Sequence, residues 1–312
     1  MLFEKIIDLY ADLDDSIFFS WWTFIIIILI FILIRQQLKN KNIKEGFTQP
    51  EKFIYYRDND KIFDSFYCDI YDDLFYSKTR AGMDYDVMQP IVKFNAYSNI
   101  LDAGCGTGQH IKRLSDKKHL TCGVDYSKDM VIKARENNKN IEIKQGDLTN
   151  PMLYENEEFT HILCLYFTIY YIEDKRQFFL NAYDWLQKDG ILVLHLVNRD
   201  MFDPILPASN PLYMISPQKY AKDRITTSVI KFKDFEYNSK FHVDANKNTA
   251  YFEETLKDDL TSNIRKNRHK LFLQTQKEIL DIARQSGFSV IHKSDLVNIQ
   301  YEYQYFYYLQ KE

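Results

Sequence analysis

The stretch LDAGCGTGQH, residues 101–110, decides the fold. A short apolar run typical of a strand ends at Asp102, glycines follow at Gly104, Gly106 and Gly108, and a stretch typical of a helix begins directly afterwards. Glycines permit a tight turn and let the backbone approach a ligand closely. In open α/β sheets, ligands bind at the carboxyl ends of the strands. The stretch therefore predicts a ligand-binding loop at the end of a parallel strand.

Short apolar runs alternate with amphipathic stretches on both sides of this loop. The predicted strands cover residues 100–103, 120–124, 141–144, 161–165, 191–196, 289–293 and 300–309, and the predicted helices cover 111–117, 128–137, 175–187 and 274–285. This alternation predicts an α/β fold with a Rossmann-like, doubly wound, seven-stranded and mostly parallel sheet that has helices on both faces. Residues 200–270 alternate without a clean helix, which predicts an antiparallel strand insertion after strand five. Residues 51–95 carry an aromatic, helical pattern.

The glycine spacing separates two classes of ligand. A nicotinamide or flavin loop has the spacing G-x-G-x-x-G, whereas this one reads G-x-G-x-G after an acidic residue. S-adenosylmethionine (SAM) has no pyrophosphate to place on a helix N-terminus, so the loop fits SAM better. The alternative is a Rossmann-like fold that binds another nucleotide.

Three successive segments resemble those of class I SAM-dependent methyltransferases. Residues 102–108 match that family's first motif, D-x-G-x-G-x-G. GVDYSKDMVIKARE (residues 123–136) resembles its second strand and following helix, and KQGDLTNP (residues 144–151) resembles the end of its third strand. The resemblance extends over residues 60–312 and implies that SAM is the cofactor.

The resemblance also implies where the cofactor binds. Asp102 and the three glycines form the loop, and an acid at the position of Asp125 accepts the ribose hydroxyls, with Tyr126 beside it. Asp147 accepts a hydrogen bond from the adenine amino group, and Leu148 flanks the ring. The segment THILCLYFTIYYIED, residues 160–174, resembles the one that borders the methyl-transfer site and places Tyr166 near the cofactor sulfur.

The aromatic YDDLFY segment at residues 71–76 and the stranded insertion resemble amino-sugar and glycine/sarcosine N-methyltransferases. In those relatives the N-terminal helices form a lid, and the insertion covers the acceptor. The expected function is transfer of a methyl group to an amine or hydroxyl of a small molecule by in-line displacement. Two alternatives remain: a methyltransferase for a lipid or membrane-bound substrate, and a non-catalytic SAM-binding membrane scaffold.

The catalytic candidates are Tyr166, His195 and Arg199. His195 lies three residues before Asn198, at the end of the fifth strand, where it could face the site or pack within the sheet. Arg199 could bind an acceptor carboxylate or phosphate as a bidentate donor, or form an ordinary surface pair. No acidic cluster suggests a catalytic metal, so we expect metal-independent transfer.

Residues 17–34, IFFSWWTFIIIILIFILI, contain no charge. As a helix they would extend roughly 27 Å, close to the hydrocarbon thickness of a bilayer. A buried core helix is the alternative, but such helices are rarely apolar on every side. Basic residues follow the run, namely Arg35, Lys39, Lys41 and Lys44. By the positive-inside rule these place the rest of the chain in the cytosol, which predicts a single-pass membrane protein.

The predicted organisation is a tail at residues 1–16, the transmembrane helix at 17–34, a linker at 35–50 and the methyltransferase domain at 51–312. The formal net charge of −4 argues against nucleic acid as a partner. The four cysteines form no C-x-x-C pair, which argues against a disulfide framework or a zinc site. No feature of the sequence specifies an oligomeric state.

Overall fold

The computed structural model describes residues 26, 28–30, 54–58, 61–75, 78–202, 226–232, 234–299 and 301–312. The chain divides into two compact units, Met1–Thr48 and Gln49–Glu312. The predicted tail (1–16) and linker (35–50) lie outside the described residues, and so does most of the predicted membrane span (17–34). Residues 26 and 28–30 of that span are helical and exposed. Within the described part of the chain, no helix is both long and apolar enough to cross a bilayer.

The second unit contains all the other described elements, which we number in chain order. They are β1 (Ile54–Asp58), α1 (Ser65–Phe75), α2 (Lys78–Val92), β2 (Asn99–Ala103), α3 (Gln109–Asp116), β3 (Leu120–Asp125), α4 (Lys128–Asn137), β4 (Ile143–Gln145), β5 (Phe159–Cys164), α5 (Thr168–Tyr171), α6 (Lys175–Trp185), β6 (Leu186–Val197), β7 (Thr227–Lys231), β8 (Phe235–Asp244), β9 (Thr249–Asp258), β10 (Ile264–Phe272), α7 (Gln276–Gln285), β11 (Phe288–Asp295) and β12 (Gln304–Lys311).

Seven strands form the main sheet in the order β11-β12-β6-β5-β2-β3-β4. The pairs β2–β3, β3–β4, β2–β5 and β5–β6 are parallel, whereas β12 is antiparallel to both of its neighbours. Strand order reverses beside β2, because the chain continues from β2 to β3 on one side and returns to β5 on the other. The predicted Rossmann-like, mostly parallel, seven-stranded sheet is confirmed, and β2 lies at its topological switch point.

Both faces of the main sheet are buried by helices. Successive residues of β5 point to opposite faces, so Ile162 packs with one apolar cluster and Leu163 with another. The first cluster contains Trp185 of α6 and Ile279 of α7, and the second contains Met88 of α2. Burial on both faces explains why the central strands appear in the sequence as nearly continuous apolar runs.

The predicted antiparallel insertion is present as a second sheet, in the order β1-β10-β9-β8-β7. Strands β7 to β10 pair antiparallel, and β1 joins β10 in parallel. The prediction that residues 51–95 are helical throughout is therefore wrong at Ile54–Asp58. This segment, IYYRD, carries a β-branched residue and two aromatic residues that favour a strand. The region of 200–270 before residue 226 lies mostly outside the described residues.

The inward face of β10 is unusually polar. Arg265, Asn267 and His269 are each at most 4% exposed. The Arg265 guanidinium donates to both carboxylate oxygens of Asp64, at 2.8 and 2.9 Å, and to the carbonyl oxygen of Ile62 at 2.7 Å. This buried ion pair connects the second sheet to the segment that leads into α1.

Helices α3 and α4 approach each other closely at Gly108. This residue has a φ of 80°, in the left-handed region that favours glycine. A Cβ atom here would lie 2.5 Å from Asn138 Nδ2 and 3.2 Å from the Ala134 methyl carbon. The Asn138 side-chain amide donates to the carbonyl oxygens of Gly108 and Ala134, both at 3.0 Å. The glycine is required by the packing as well as by the turn.

Replacing Gly108 by alanine should destabilise the fold. The left-handed conformation alone costs about 1–2 kcal/mol for a residue with a Cβ, and displacement of the Asn138 amide adds to that cost. We expect a lower denaturation midpoint for the full chain, measured by urea titration.

The matched control is Gly82→Ala within α2. A Cβ at Gly82 meets only the Arg113 side chain, at 3.6 Å or more. Alanine is favoured over glycine inside a helix by up to about 1 kcal/mol, so this variant should be neutral or more stable. Equal destabilisation of the two variants would contradict the packing argument.

Candidate active site

The glycine loop connects β2 to α3 at the carboxyl edge of the sheet. Gly104, Gly106 and Gly108 have φ values of 78°, 52° and 80°. The amide of Gly106 donates to Asp125 Oδ2 at 2.9 Å, and the amide of Ser127 donates to Asp125 Oδ1, also at 2.9 Å. One carboxylate at the end of β3 therefore fixes both the loop and the first turn of α4. Burial raises the pKa of Asp125, while the backbone N–H donors oppose that rise.

Helix α1 lies over the loop. The Asp72 carboxylate accepts from Thr107 Oγ1 and from Gln109 Nε2, both at 2.5 Å. A Cβ on Gly106 would be directed toward Tyr71, whose nearest ring carbon is 3.9 Å away. Since Gly106 has no side chain, its backbone lies open toward the space under α1. This is the geometry that a closely approaching ligand needs.

A cavity of about 630 Å³ opens beside the loop, at the ends of β3 and β4. Its lining includes Tyr126 and Asp147, together with Phe63 from the segment before α1. Ser127 Oγ donates to the Phe63 carbonyl oxygen at 2.8 Å, which holds that segment against β3. Leu148 lies elsewhere: its side chain is 8% exposed and packs in the main apolar core.

Two buried carboxylate oxygens lack a hydrogen-bond partner among the described residues, Oδ2 of Asp102 and Oδ1 of Asp84. Burial raises the pKa of Asp102 to about 6, the positive charge of His110 lowers it, and the charge of Asp125 raises it further. Such oxygens are costly unless a donor or a cation reaches them. Two acids with unused acceptors beside a glycine loop fit a ligand that carries an ammonium and a sulfonium, as SAM does.

Tyr166 follows β5 with a φ of 51°, an uncommon conformation for a bulky residue and one associated with functional sites. Its hydroxyl donates to Asp84 Oδ2 at 3.1 Å, and the Tyr301 hydroxyl donates to the Tyr166 oxygen at 3.3 Å. His110 Nε2 lies 3.0 Å from the same Asp84 oxygen. Helix α2 therefore closes over the carboxyl end of β5 through a single buried acid.

The fold and the loop sequence both have known counterparts. Residues 100–190 match the family model described as "Methyltransferase domain". The solved structure of the CcbJ methyltransferase from Streptomyces caelestis superimposes with a TM-score of 0.59 at 16% identity, covering 81% of this chain and 97% of that one. Residues 100–190 therefore contain a methyltransferase domain, and its motifs and fold are those of the class I SAM-dependent type. SAM is the cofactor of this methyltransferase domain.

Relatives of known name also align with this chain by sequence. A glycine/sarcosine N-methyltransferase from Aphanothece halophytica is 26% identical over 174 residues, which cover 53% of this chain and 64% of the relative. A dTDP-3-amino-3,4,6-trideoxy-alpha-D-glucopyranose N,N-dimethyltransferase from Streptomyces venezuelae is 27% identical over 111 residues, 34% of this chain and 46% of the relative. The chain thus spans less than two thirds of the length of these curated relatives.

The structure brings together most of the residues predicted for the cofactor. Asp102, Asp125 and Tyr166 lie around the loop with its three glycines, and Tyr126 and Asp147 line the adjoining cavity. Leu148, which follows Asp147 in the sequence, is 8% exposed and packs in the main apolar core. The roles assigned to individual residues stay predictions.

The two other catalytic candidates occupy different surroundings. His195 is 2% exposed, its ring centroid is 6.0 Å from that of Tyr166, and its Nε2 is buried without a hydrogen-bond partner in the described structure. Burial lowers its pKa to about 4, so the imidazole is neutral at physiological pH. Arg199 donates to Asn248 Oδ1 at 2.5 Å and to the Leu273 carbonyl oxygen at 3.2 Å. These contacts favour a structural role for Arg199 between β6 and the second sheet.

Sequence reasoning missed the acids that α1 and α2 supply, Asp72 and Asp84, and the histidine that follows the loop, His110. Asp72 and Asp84 each precede their partners in the loop region by about 25 to 35 residues. No spacing rule connects an acid on α1 or α2 with a loop at that distance. The available signal was His110 itself, a titratable residue in the first turn after the glycines.

Replacing Asp102 by asparagine should weaken SAM binding. A hydrogen bond to a charged group contributes about 1.5–3 kcal/mol, so we expect roughly ten- to a hundredfold weaker affinity by calorimetry. Because the Asp102 pKa in the free protein is about 6, its carboxylate is ionised above that pH and takes up a proton below it. Wild-type affinity should therefore fall as the pH drops from 7.5 to 5.

The asparagine variant should show a shallower pH dependence of SAM affinity, because position 102 then carries no titratable group. Asp116→Asn is the matched control, since Asp116 lies exposed at the end of α3 and pairs only with Lys112 at 3.4 Å. A pH profile of the Asp102 variant that is identical to the wild type would show that Asp102 does not contact the cation.

Proposed function

We propose that the protein transfers a methyl group from SAM to a nitrogen atom of a small-molecule acceptor. The observation that carries this proposal is the glycine loop, fixed by Asp125 and flanked by the unused oxygens of Asp102 and Asp84. The names of the relatives favour nitrogen: one methylates glycine and sarcosine, and the other an amino sugar. An amine is therefore a better candidate acceptor than a hydroxyl.

The acceptor would enter an aromatic chamber between α1, α5 and the second sheet. Tyr71 and Phe75 of α1 have ring centroids 5.0 Å apart, Phe75 lies 6.4 Å from Phe252 of β9, and Phe252 lies 5.4 Å from His269 of β10. Aromatic side chains exclude water and hold an acceptor with little loss of side-chain entropy.

When bound, SAM supplies a methyl carbon already activated by its sulfonium. The residues of the chain then have to hold the acceptor nitrogen in line with that carbon and keep water away. Alignment alone can contribute roughly 7–11 kcal/mol toward the barrier. Tyr166, held by Asp84 in its left-handed conformation, is placed to define one wall of the reaction site.

The proposed activity predicts transfer of labelled methyl from SAM to an amine. We expect turnover by the full chain with at least one of glycine, sarcosine and a dTDP-linked amino sugar, measured by mass spectrometry of the product. Asp125→Asn should lose most of this activity, because an amide cannot supply two acceptor oxygens to Gly106 and Ser127.

Asp259→Asn, at an exposed ion pair with Lys231 on the second sheet, is the control and should retain activity. Calorimetric binding of SAM without turnover on any amine, alcohol or lipid would favour the non-catalytic scaffold. Turnover only with lipid extract would favour a membrane-bound acceptor.

We further propose that residues 17–34 anchor the protein in a membrane with the methyltransferase domain in the cytosol. The support is the uncharged 18-residue run and the basic residues after it. Tethering would raise the local concentration of the enzyme near acceptors made at the bilayer.

The anchor predicts that the full chain stays in the membrane pellet after alkaline carbonate extraction. The double substitution Ile26→Arg and Leu29→Arg should release it, because each arginine at the centre of a span costs about 2.5–3.5 kcal/mol. Gln36→Arg with Gln37→Arg adds the same two charges just beyond the run and should leave the protein in the pellet. Release of both variants, or of neither, would contradict the anchor.

A further inference from the structure

A fully buried carboxylate, Glu254 of β9, lies at the centre of the second sheet. It is 1% exposed. It accepts hydrogen bonds from Tyr67 at 2.9 and 2.8 Å, from Tyr237 at 2.7 Å, from Asn267 at 3.0 Å and from His269 Nε2 at 2.8 Å. Burial acts to raise the pKa of Glu254, and the hydrogen bonds from His269, Asn267 and Tyr237 act to lower it. Glu254 is therefore an anion at neutral pH.

The contact between His269 and Glu254 shows which ring nitrogen carries a proton. A carboxylate can only accept, so Nε2 of His269 carries the proton that Glu254 binds. The other ring nitrogen, Nδ1, lies 2.7 Å from the Tyr171 hydroxyl. In the tautomer that has its only ring proton on Nε2, which the relay requires, Nδ1 accepts the Tyr171 hydrogen. Burial raises the pKa of Tyr171 well above its usual value, so this residue remains a phenol.

Tyr171 connects this buried pair to the reaction site. It lies three residues after Thr168, within one short helix, and Thr168 packs directly against the glycine loop: a Cβ on Gly104 would meet its side chain. The Tyr171 ring also packs edge-on against Phe63, with centroids 5.7 Å apart, at the lining of the loop-side cavity. The hydroxyl of Tyr171 is thus directed from the methyl-transfer region toward His269.

The other groups around the pair do not compete for its proton. Tyr67 and Tyr237 are phenols whose pKa values burial raises. Arg265, the cation on the same face of β10, is paired with Asp64 at 2.8 Å. Tyr71 of α1 is also a phenol with a pKa raised by burial. Among these groups, His269 is the base, because its Nδ1 lies within hydrogen-bond distance of the Tyr171 hydroxyl.

We propose that Tyr171, His269 and Glu254 form a proton relay that deprotonates an ammonium acceptor before it is methylated. This proposal rests on the proposed N-methyltransferase function. The acceptor N–H proton passes to the Tyr171 oxygen while the Tyr171 hydrogen passes to His269 Nδ1. The N–H electron pair stays on the acceptor nitrogen as the attacking lone pair. His269 becomes an imidazolium that Glu254 balances, and it later returns the proton to solvent.

In this relay Tyr171 is the catalytic residue, because it contacts the acceptor, and Glu254 is a positioning residue that acts through His269. Its arrangement resembles other acid–histidine–hydroxyl systems in which the carboxylate fixes the tautomer and stabilises the imidazolium. The relay also predicts the substrate class, an amine that is protonated at neutral pH.

The test compares pH profiles of the full chain with the best substrate among glycine, sarcosine and a dTDP-linked amino sugar. General base catalysis contributes about 10²–10⁴-fold, so His269→Gln and Tyr171→Phe should each lower kcat/KM about a hundredfold near pH 7. The loss of kcat/KM relative to the wild type should shrink by about tenfold for each unit of pH above 7, because solvent then deprotonates the amine. SAM affinity, measured by calorimetry, should stay close to that of the wild type.

His161→Gln is the matched control, since His161 is a buried histidine outside the relay. Its ring nitrogens contact Thr160 at 2.8 Å and the Val92 carbonyl oxygen at 3.2 Å. It should keep the wild-type profile. A loss in the His269 and Tyr171 variants that is equal at every pH would assign them a structural role and overturn the relay.

A second measurement needs no turnover. The ¹⁵N spectrum of histidine-labelled full chain, with His269 assigned by its absence in His269→Gln, should show a neutral ring protonated at Nε2 at pH 8. An imidazolium there would overturn the relay, because no lone pair would be available. A neutral Nε2–H ring in a wild type that methylates none of the amines would instead overturn the proposed N-methyltransferase function.

Discussion

One carboxylate, that of Asp125, holds the glycine loop and the start of α4 together. Its two oxygens accept the amides of Gly106 and Ser127, so the end of β3 fixes both the glycine loop and the start of α4. Ser127 in turn caps α4 by accepting the Met130 amide at 3.2 Å, and its hydroxyl holds Phe63 of the lid segment. The glycine loop, α4 and the segment before α1 are therefore joined near the carboxylate of Asp125. The cost of burying that charge is offset by fixed backbone N–H groups.

The second sheet is also organised around buried charge. Its central strands turn Glu254, Arg265 and His269 inward, where a purely apolar face would have packed more simply. Replacing buried ion pairs by apolar residues is often neutral or stabilising, so stability alone does not explain their presence. The Arg265–Asp64 pair and the Glu254–Tyr67 bonds reach α1 and the segment before it. These contacts therefore fix α1 and the segment before it in one position against the second sheet.

The main sheet could be predicted from sequence because its strands are apolar and short, and its loop carries a specific glycine spacing. Asp125 and Ser127 were also predictable, since Asp125 ends β3 and Ser127 lies two residues later. Glu254 and His269 were not, because β9 reads TAYFEETLKD and β10 reads IRKNRHKLF. Both strands carry polar residues on both faces, so alternation does not reveal which residues point inward. Strand β1 was missed because its partner, β10, lies about 200 residues later. Asp84 and His110 meet only through tertiary packing.

The glycine loop is held by hydrogen bonds from Thr107 and Gln109 to Asp72 and from the Asn138 amide to Gly108. These bonds have a consequence for product exchange. The loop is already rigid before any ligand arrives, so little ordering entropy is lost on binding. If SAM binds as proposed, the neutral backbone groups of the loop by themselves do not distinguish the sulfonium from the demethylated thioether. On the proposed binding mode, the unpaired oxygens of Asp102 and Asp84 favour the cation, so the product would be held more weakly than SAM and could be exchanged for it.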